Sequence, residues 1–158
     1  MKILIAYDSV FGNTEQIARA IGAGFEGKAE VSVLRVGEVR PTHLSGLDLL
    51  LVGSPTRAFR PTPATVQFLK GLARDSLKGV RVTGFDTRAD LEEVNSRFLN
   101  FMVSLFGYAA QPIARRLVKK GGSLCIPPEG FLVKGTEGPL KDGELERARN
   151  WAQKIRVG

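Results

Sequence analysis

The 158-residue chain carries 23 Lys and Arg against 16 Asp and Glu, a formal net charge of +7 at pH 7, with 43% hydrophobic and 25% charged residues. These proportions describe one ordinary folded domain with a single core and exclude a disordered or collagen-like chain. A single cysteine, Cys125, and a single histidine, His43, exclude an intramolecular disulfide, a cysteine-rich zinc site and a histidine-based hydrolytic triad.

In chain order, Lys2 to Tyr7 is an apolar run with β-branched residues that ends at Asp8-Ser9, which predicts a buried strand leading into a loop. From Thr14 the period changes. Ile17, Ala18, Ile21 and Phe25 fall on one helical face, Gly22, Gly24 and Gly27 mark its end, and Glu30 to Val36 alternates as a second strand. Leu47 to Val52, polar only at Asp48, predicts a third strand ending at Gly53-Ser54-Pro55-Thr56, and Ala64 to Leu72 has helical spacing. Val80 to Phe85 predicts a short fourth strand that gives way to a loop at Asp86-Thr87-Arg88. A helical region ahead of Gly121-Gly122 carries the densest cationic cluster, Arg115, Arg116, Lys119 and Lys120. Leu124 to Val133 predicts a fifth strand interrupted by Pro127-Pro128. Glu144 to Ile155 predicts a terminal helix capped by Asp142, with Leu145, Ala148, Trp151, Ala152 and Ile155 inward. Five strands alternating with helices predict a single α/β domain over residues 1–158, its parallel sheet covered on both faces.

No run reaches the roughly 18 apolar positions of a membrane span. Met1 opens directly on a strand-like segment without a signal-peptide pattern, so a cytoplasmic location is the expectation. The positive balance is shared between the sequence halves, +3 over residues 1–79 and +4 over residues 80–158, and forms no basic tail. No aromatic and basic stacking motif accompanies it, so nucleic acid is not the expected partner. His43, beyond Pro41, reads as a surface loop residue, and Cys125 as a small core residue of a strand.

In a parallel sheet of this kind ligands bind beyond the carboxyl ends of the strands. The first such loop, Ser9-Val10-Phe11-Gly12-Asn13-Thr14, combines hydroxyls at both ends, Gly and Asn for tight turns, and a following helix start, a concave array of N–H donors suited to a phosphate. It is neither a G-x-G-x-x-G dinucleotide fingerprint nor a P-loop ending in Gly-Lys-Ser/Thr. The loop resembles the phosphate loop of the flavodoxin family, with Phe11 in place of the middle Thr. Gly53-Ser54-Pro55-Thr56 resembles that family's second flavin loop and Asp86-Thr87-Arg88 occupies the place of the third. Gly138-Pro-Leu, with Gly143 to Ala148 before Trp151-Ala152, resembles its last crossover. The resemblance implies a flavodoxin-like three-layer sandwich with a five-stranded parallel sheet in the order 2-1-3-4-5 and helices on both faces. It also implies noncovalently bound FMN, the phosphate in the 9–14 loop and the ring system between Ser54-Pro55-Thr56-Arg57-Ala58-Phe59 and Asp86-Thr87-Arg88.

Three departures from the family stand out, the first of them in the second flavin loop, where Arg57 and Ala58 both differ. Arg57 falls where a ring-stacking aromatic is usual, with Phe59 two residues on as a substitute; Arg57 is read equally as a cation beside the flavin or a substrate anion and as a surface arginine. Ala58 stands where the family often has a Gly whose peptide turns over on flavin reduction, and its Cβ carries a cost at positive φ, which implies two-electron rather than one-electron chemistry. The 90–106 segment is extra. Leu91, Val94, Phe98, Phe101, Met102 and Leu105 form an apolar helical face opposite Glu92, Glu93, Asn95 and Arg97, expected to pack on its own domain and otherwise to form a flap or a dimer surface. The third departure is the charge, because flavodoxins are usually acidic.

The expected function is therefore an FMN-binding electron-transfer protein, monomeric or dimeric through 90–106, with a redox partner protein or a small-molecule electron acceptor. The alternatives are a small NAD(P)H-dependent flavin or quinone reductase, suggested by Thr56-Arg57, and a flavin-free interaction module.

Overall fold

A computed structural model describes residues 1–91 and 97–157, with the side chains of Leu105 and Phe106 left aside. The first four strands are β1 (Lys2–Tyr7), β2 (Glu30–Arg35), β3 (Leu49–Pro55) and β4 (Arg81–Ala89), and they lie side by side in parallel in the order β2-β1-β3-β4. Beside β4 come β5 (Ser123–Leu124) and β6 (Glu129–Val133), both parallel to it and paired with successive stretches of it. The expected fifth strand thus divides into two short strands in one slot. Pro127 and Pro128 have no N–H to donate to β4, so the ladder breaks there. Cys125, expected within a strand, lies half-buried just after β5, its N–H still bonded to the Val82 carbonyl at 3.1 Å.

Side-chain alternation on β1 and β3 builds two cores. Ile3, Ile5, Tyr7, Leu49 and Leu51 face α1 (Asn13–Ala23) and the terminal helix α6 (Glu144–Gln153), where Trp151 packs edge-on against Phe85 and Phe131 at centroid distances of 6.4 and 6.0 Å. Leu4, Ala6, Leu50 and Val52 face α3 (Pro63–Gly71) and α5 (Ala110–Lys119) through Leu69, Ile113 and Leu117. Helix α2 (Pro41–Leu44) is a single turn that contains His43, whose Nδ1 accepts the Arg40 N–H at 2.8 Å; the expected loop is helical there. At the start of α6, Gly143 rather than Asp142 holds the N-cap position, and Leu145 is exposed rather than inward.

The segment expected to carry an extra amphipathic helix contains α4 (Arg97–Phe106). Phe98 and Phe101 on it are 67% and 59% exposed, which corrects the expectation that this face packs on its own domain. Glu92, Glu93, Val94 and Asn95 lie outside the described residues. Among the described residues no helix is long and apolar enough to cross a membrane, and no cluster of His, Cys, Asp and Glu side chains could hold a metal ion.

Candidate functional site

The chain leaves β1 at Tyr7 and enters α1 at Asn13, and the turn between them closes around Ser9. Its buried hydroxyl accepts the N–H groups of Gly12 at 3.1 Å and Glu15 at 3.4 Å. Gly12, at the N-cap, takes φ 91°, a conformation costly for a residue with a Cβ. The N–H groups of Val10, Phe11, Asn13 and Thr14 meet no acceptor among the described residues. Unsatisfied N–H groups at a helix start, reinforced by the helix dipole, make an anion-binding cradle. Its side chains are occupied elsewhere: the Asn13 amide donates to the Glu137 carbonyl at 2.8 Å, and the hydroxyls of Thr14 and Thr87 meet at 2.8 Å.

A buried polar knot holds the second loop. Ser54, wholly buried, accepts the Thr62 N–H at 3.0 Å, and the Thr62 hydroxyl donates to Asp8 Oδ2 at 2.5 Å while accepting the Thr65 N–H that starts α3. Between Ser54 and Thr62 the chain forms a two-residue hairpin, Arg57 and Arg60 exchanging backbone hydrogen bonds at 2.8 and 3.0 Å. Its central residues, Ala58 and Phe59, both have positive φ, 47° and 66°. That is the turn geometry normally filled by Asn-Gly. Ala58 therefore already occupies the conformation that its Cβ was expected to resist.

The third segment differs more from expectation. Asp86, Thr87 and Arg88 belong to β4, paired on one side with Ser54 and Pro55 and on the other with β6. Strand alternation sends Asp86 and Thr87 to opposite faces. Asp86 is fully buried beneath α5, where its carboxylate accepts two hydrogen bonds from Arg88, each 2.7 Å, and the Ala110 N–H at 2.9 Å. Burial pushes its carboxyl above the ordinary aspartate range, and Arg88 pulls against that shift. The Arg88 guanidinium also lies 3.5 Å above the Tyr108 ring and crosses Gly130, where any Cβ would sit 2.1 Å from it.

These elements enclose a cavity of about 110 Å3. Ser9, Val10, Phe11, Asn13, Thr14, Pro55, Thr56, Arg57, Thr87 and Arg88 line it, so ten of the fifteen predicted residues meet there. Gly12, Ser54, Ala58, Phe59 and Asp86 do not line it: Gly12 shapes the loop, Ser54 and Asp86 are buried supports, and Ala58 and Phe59 form the hairpin tip, with Phe59 turned to the far side of the hairpin. Ala89, Val133 and Thr136 complete the wall and were not foreseen; a turn after the last strand was the only signal for Thr136. Arg57 sits at the rim with its guanidinium 5.5 Å from the Phe11 ring centroid. The volume holds roughly four waters, enough for a phosphate group and too little for a tricyclic ring.

The flavodoxin family model matches residues 5–151. No curated protein sequence matches the chain. Among solved structures, a flavodoxin from the domain Archaea superposes with a TM-score of 0.78 at 24% identity, covering 98% of this chain and 96% of its own. Oxidised Flavodoxin 1 from Bacillus cereus superposes with a TM-score of 0.74 at 18% identity, covering 98% and 97%. Rubredoxin oxygen:oxidoreductase from Desulfovibrio gigas reaches 0.71 at 21% identity, covering 98% of this chain and 35% of that longer one. A parallel sheet in the order 2-1-3-4-5 with a further strand, helices on both faces, an anion cradle after β1 and a family match over nearly the whole length agree on one assignment: the chain belongs to the flavodoxin family.

Proposed function

We propose that the protein is an electron-transfer protein that binds FMN noncovalently, the phosphate held by the backbone of residues 9–14 and the ring system resting on the rim made by Thr56, Arg57, Arg88 and Ala89. The N–H groups of Val10, Phe11, Asn13 and Thr14, which meet no acceptor among the described residues, carry this reading, because they offer an anion more donors than the fold itself uses. FMN supplies the redox chemistry when bound; the chain's own residues orient it and exclude water from its phosphate. Titration of the purified protein with FMN, followed by quenching of flavin fluorescence with riboflavin as the phosphate-free control, tests it. FMN is expected to bind at least roughly a hundredfold more tightly, about 2.7 kcal/mol for several charge-assisted hydrogen bonds. Equal binding of the two flavins, or none, overturns the proposal. A second reading, a small NAD(P)H-dependent flavin or quinone reductase, is favoured by the Arg57 cation at the cavity rim, and steady-state quinone turnover with NAD(P)H separates it from the first.

A further inference from the structure

The excess positive charge of this chain falls in two segments on one face of the sheet. Segments 57–74 and 107–120, which form the hairpin, α3 and α5, contain eight Lys and Arg and no Asp or Glu. The other residues, with Glu92 and Glu93 counted among them, hold 15 basic and 16 acidic side chains, so these two segments account for the whole excess. Ion pairing follows the same division. The cations that meet a carboxylate among the described residues, Arg19, Arg35, Arg88, Lys134, Lys141 and Arg147, all lie outside the two segments.

Four of the eight converge on a groove of about 720 Å3 between α3 and α5, where Arg60, Lys70, Arg115 and Arg116 surround an apolar lining of Phe59, Val66 and three prolines. Among the described residues no carboxylate lines it. The groove starts at the same hairpin whose Arg57 rims the cofactor cavity. We propose that this face is the docking surface for an acidic redox protein, whose carboxylates meet Arg60, Lys70, Arg115 and Arg116 and whose apolar centre covers Phe59 and Val66. The inference rests on the electron-transfer reading above. The charge extends past the groove to exposed Arg74 and Lys119, a field suited to steering a large acidic partner, whereas the phosphates of a nucleotide need only two or three cations.

Amide chemical shifts of the 15N-labelled protein, flavin-free and flavin-loaded, are followed during titration with an acidic [2Fe–2S] ferredoxin, with basic cytochrome c and with NADPH. The ferredoxin is expected to move amides of residues 59–70 and 111–119, and to bind at least roughly tenfold more weakly when salt is raised from about 20 to about 200 mM. The double reversal Lys70→Glu with Arg115→Glu is expected to abolish the shifts. Arg149→Glu with Lys154→Glu, the same charge change on exposed positions of the opposite layer, leaves affinity within about twofold. Equal loss in both double variants, ferredoxin shifts confined to α1 and α6, cytochrome c in the groove, or groove shifts caused by NADPH alone would each overturn the proposal. Docking is read without flavin as well, so a failure to bind FMN removes the electron-transfer reading and a failure of ferredoxin to bind removes only this surface.

Discussion

Ala58 and Phe59 occupy both central positions of a turn that requires positive φ, at a cost of about 1–2 kcal/mol for each residue with a Cβ. Ala58→Gly removes the first of these side chains. Part of the gain is returned as extra freedom in the unfolded chain, so the net stabilisation expected is about 0.5–1 kcal/mol, seen as a higher urea midpoint at unchanged slope. A sequence shows that Ala is a poor choice at such a position, but not whether the position is strained, since φ is set by the reciprocal bonds of Arg57 and Arg60 across the turn. The knot of Asp8, Ser54, Thr62 and Thr65 was equally hidden, apart from the resemblance that singled out Ser54. Its members come from three separated stretches and are all common turn or cap residues, and only folding shows that they bond to one another.

At the level of elements, the first and second strands, α1 and α3 were legible because their apolar spacing agrees with their local propensities. The end of β4 was not. Asp86, Thr87 and Arg88 look like a polar loop, yet they extend the strand because β6 pairs with them and the Asp86 and Arg88 side chains satisfy each other beneath α5. The same logic of a polar group buried with its partner governs α6. Glu144, nearly buried in its first turn, accepts the Leu132 N–H at 2.7 Å and two bonds from Arg147 at 2.9 and 2.7 Å. Burial alone would raise its pKa, but these donors hold the carboxyl below the ordinary glutamate value. A depressed value in the folded state contributes stability that is present above the unfolded pKa, about 4.5, and is lost as pH falls through the folded one. Glu144→Gln is expected to cost about 1–3 kcal/mol at pH 7 and to flatten the loss of stability on acidification below about pH 4.5, as measured by urea unfolding across pH.

For the molecule as a whole, chain halves of +3 and +4 conceal an asymmetry that the fold reveals, because the crossovers bring α3 and α5, far apart in sequence, together on one face of the sheet, with α1 and α6 on the other. The hairpin, α3 and α5, segments 57–74 and 107–120, carry eight cations without a carboxylate and the rest of the chain is close to neutral. Like charges held this close repel, and mobile ions relieve the repulsion. Raising sodium chloride from about 20 to about 300 mM is therefore expected to raise the midpoint of thermal unfolding by about 1–3 °C. In the Lys70→Glu, Arg115→Glu variant this salt effect is expected to shrink by half or more, since two of the eight charges change sign. A protein stabilised by its surface ion pairs would show the opposite trend, and differential scanning calorimetry distinguishes them.

The hairpin of residues 57–60 stands as a common wall, with Arg57 on the cavity proposed for FMN and Phe59 and Arg60 on the cationic groove proposed for a partner. Two ligands that share one wall form a closed thermodynamic cycle. Any factor by which a seated partner changes the grip on the cofactor must equal the factor by which the cofactor changes the grip on the partner. Because the wall is a turn held at positive φ at both of its central positions, each occupant can draw on the relief of the same strain, and the sign of their mutual effect is decided by which turn geometry the two of them prefer in common.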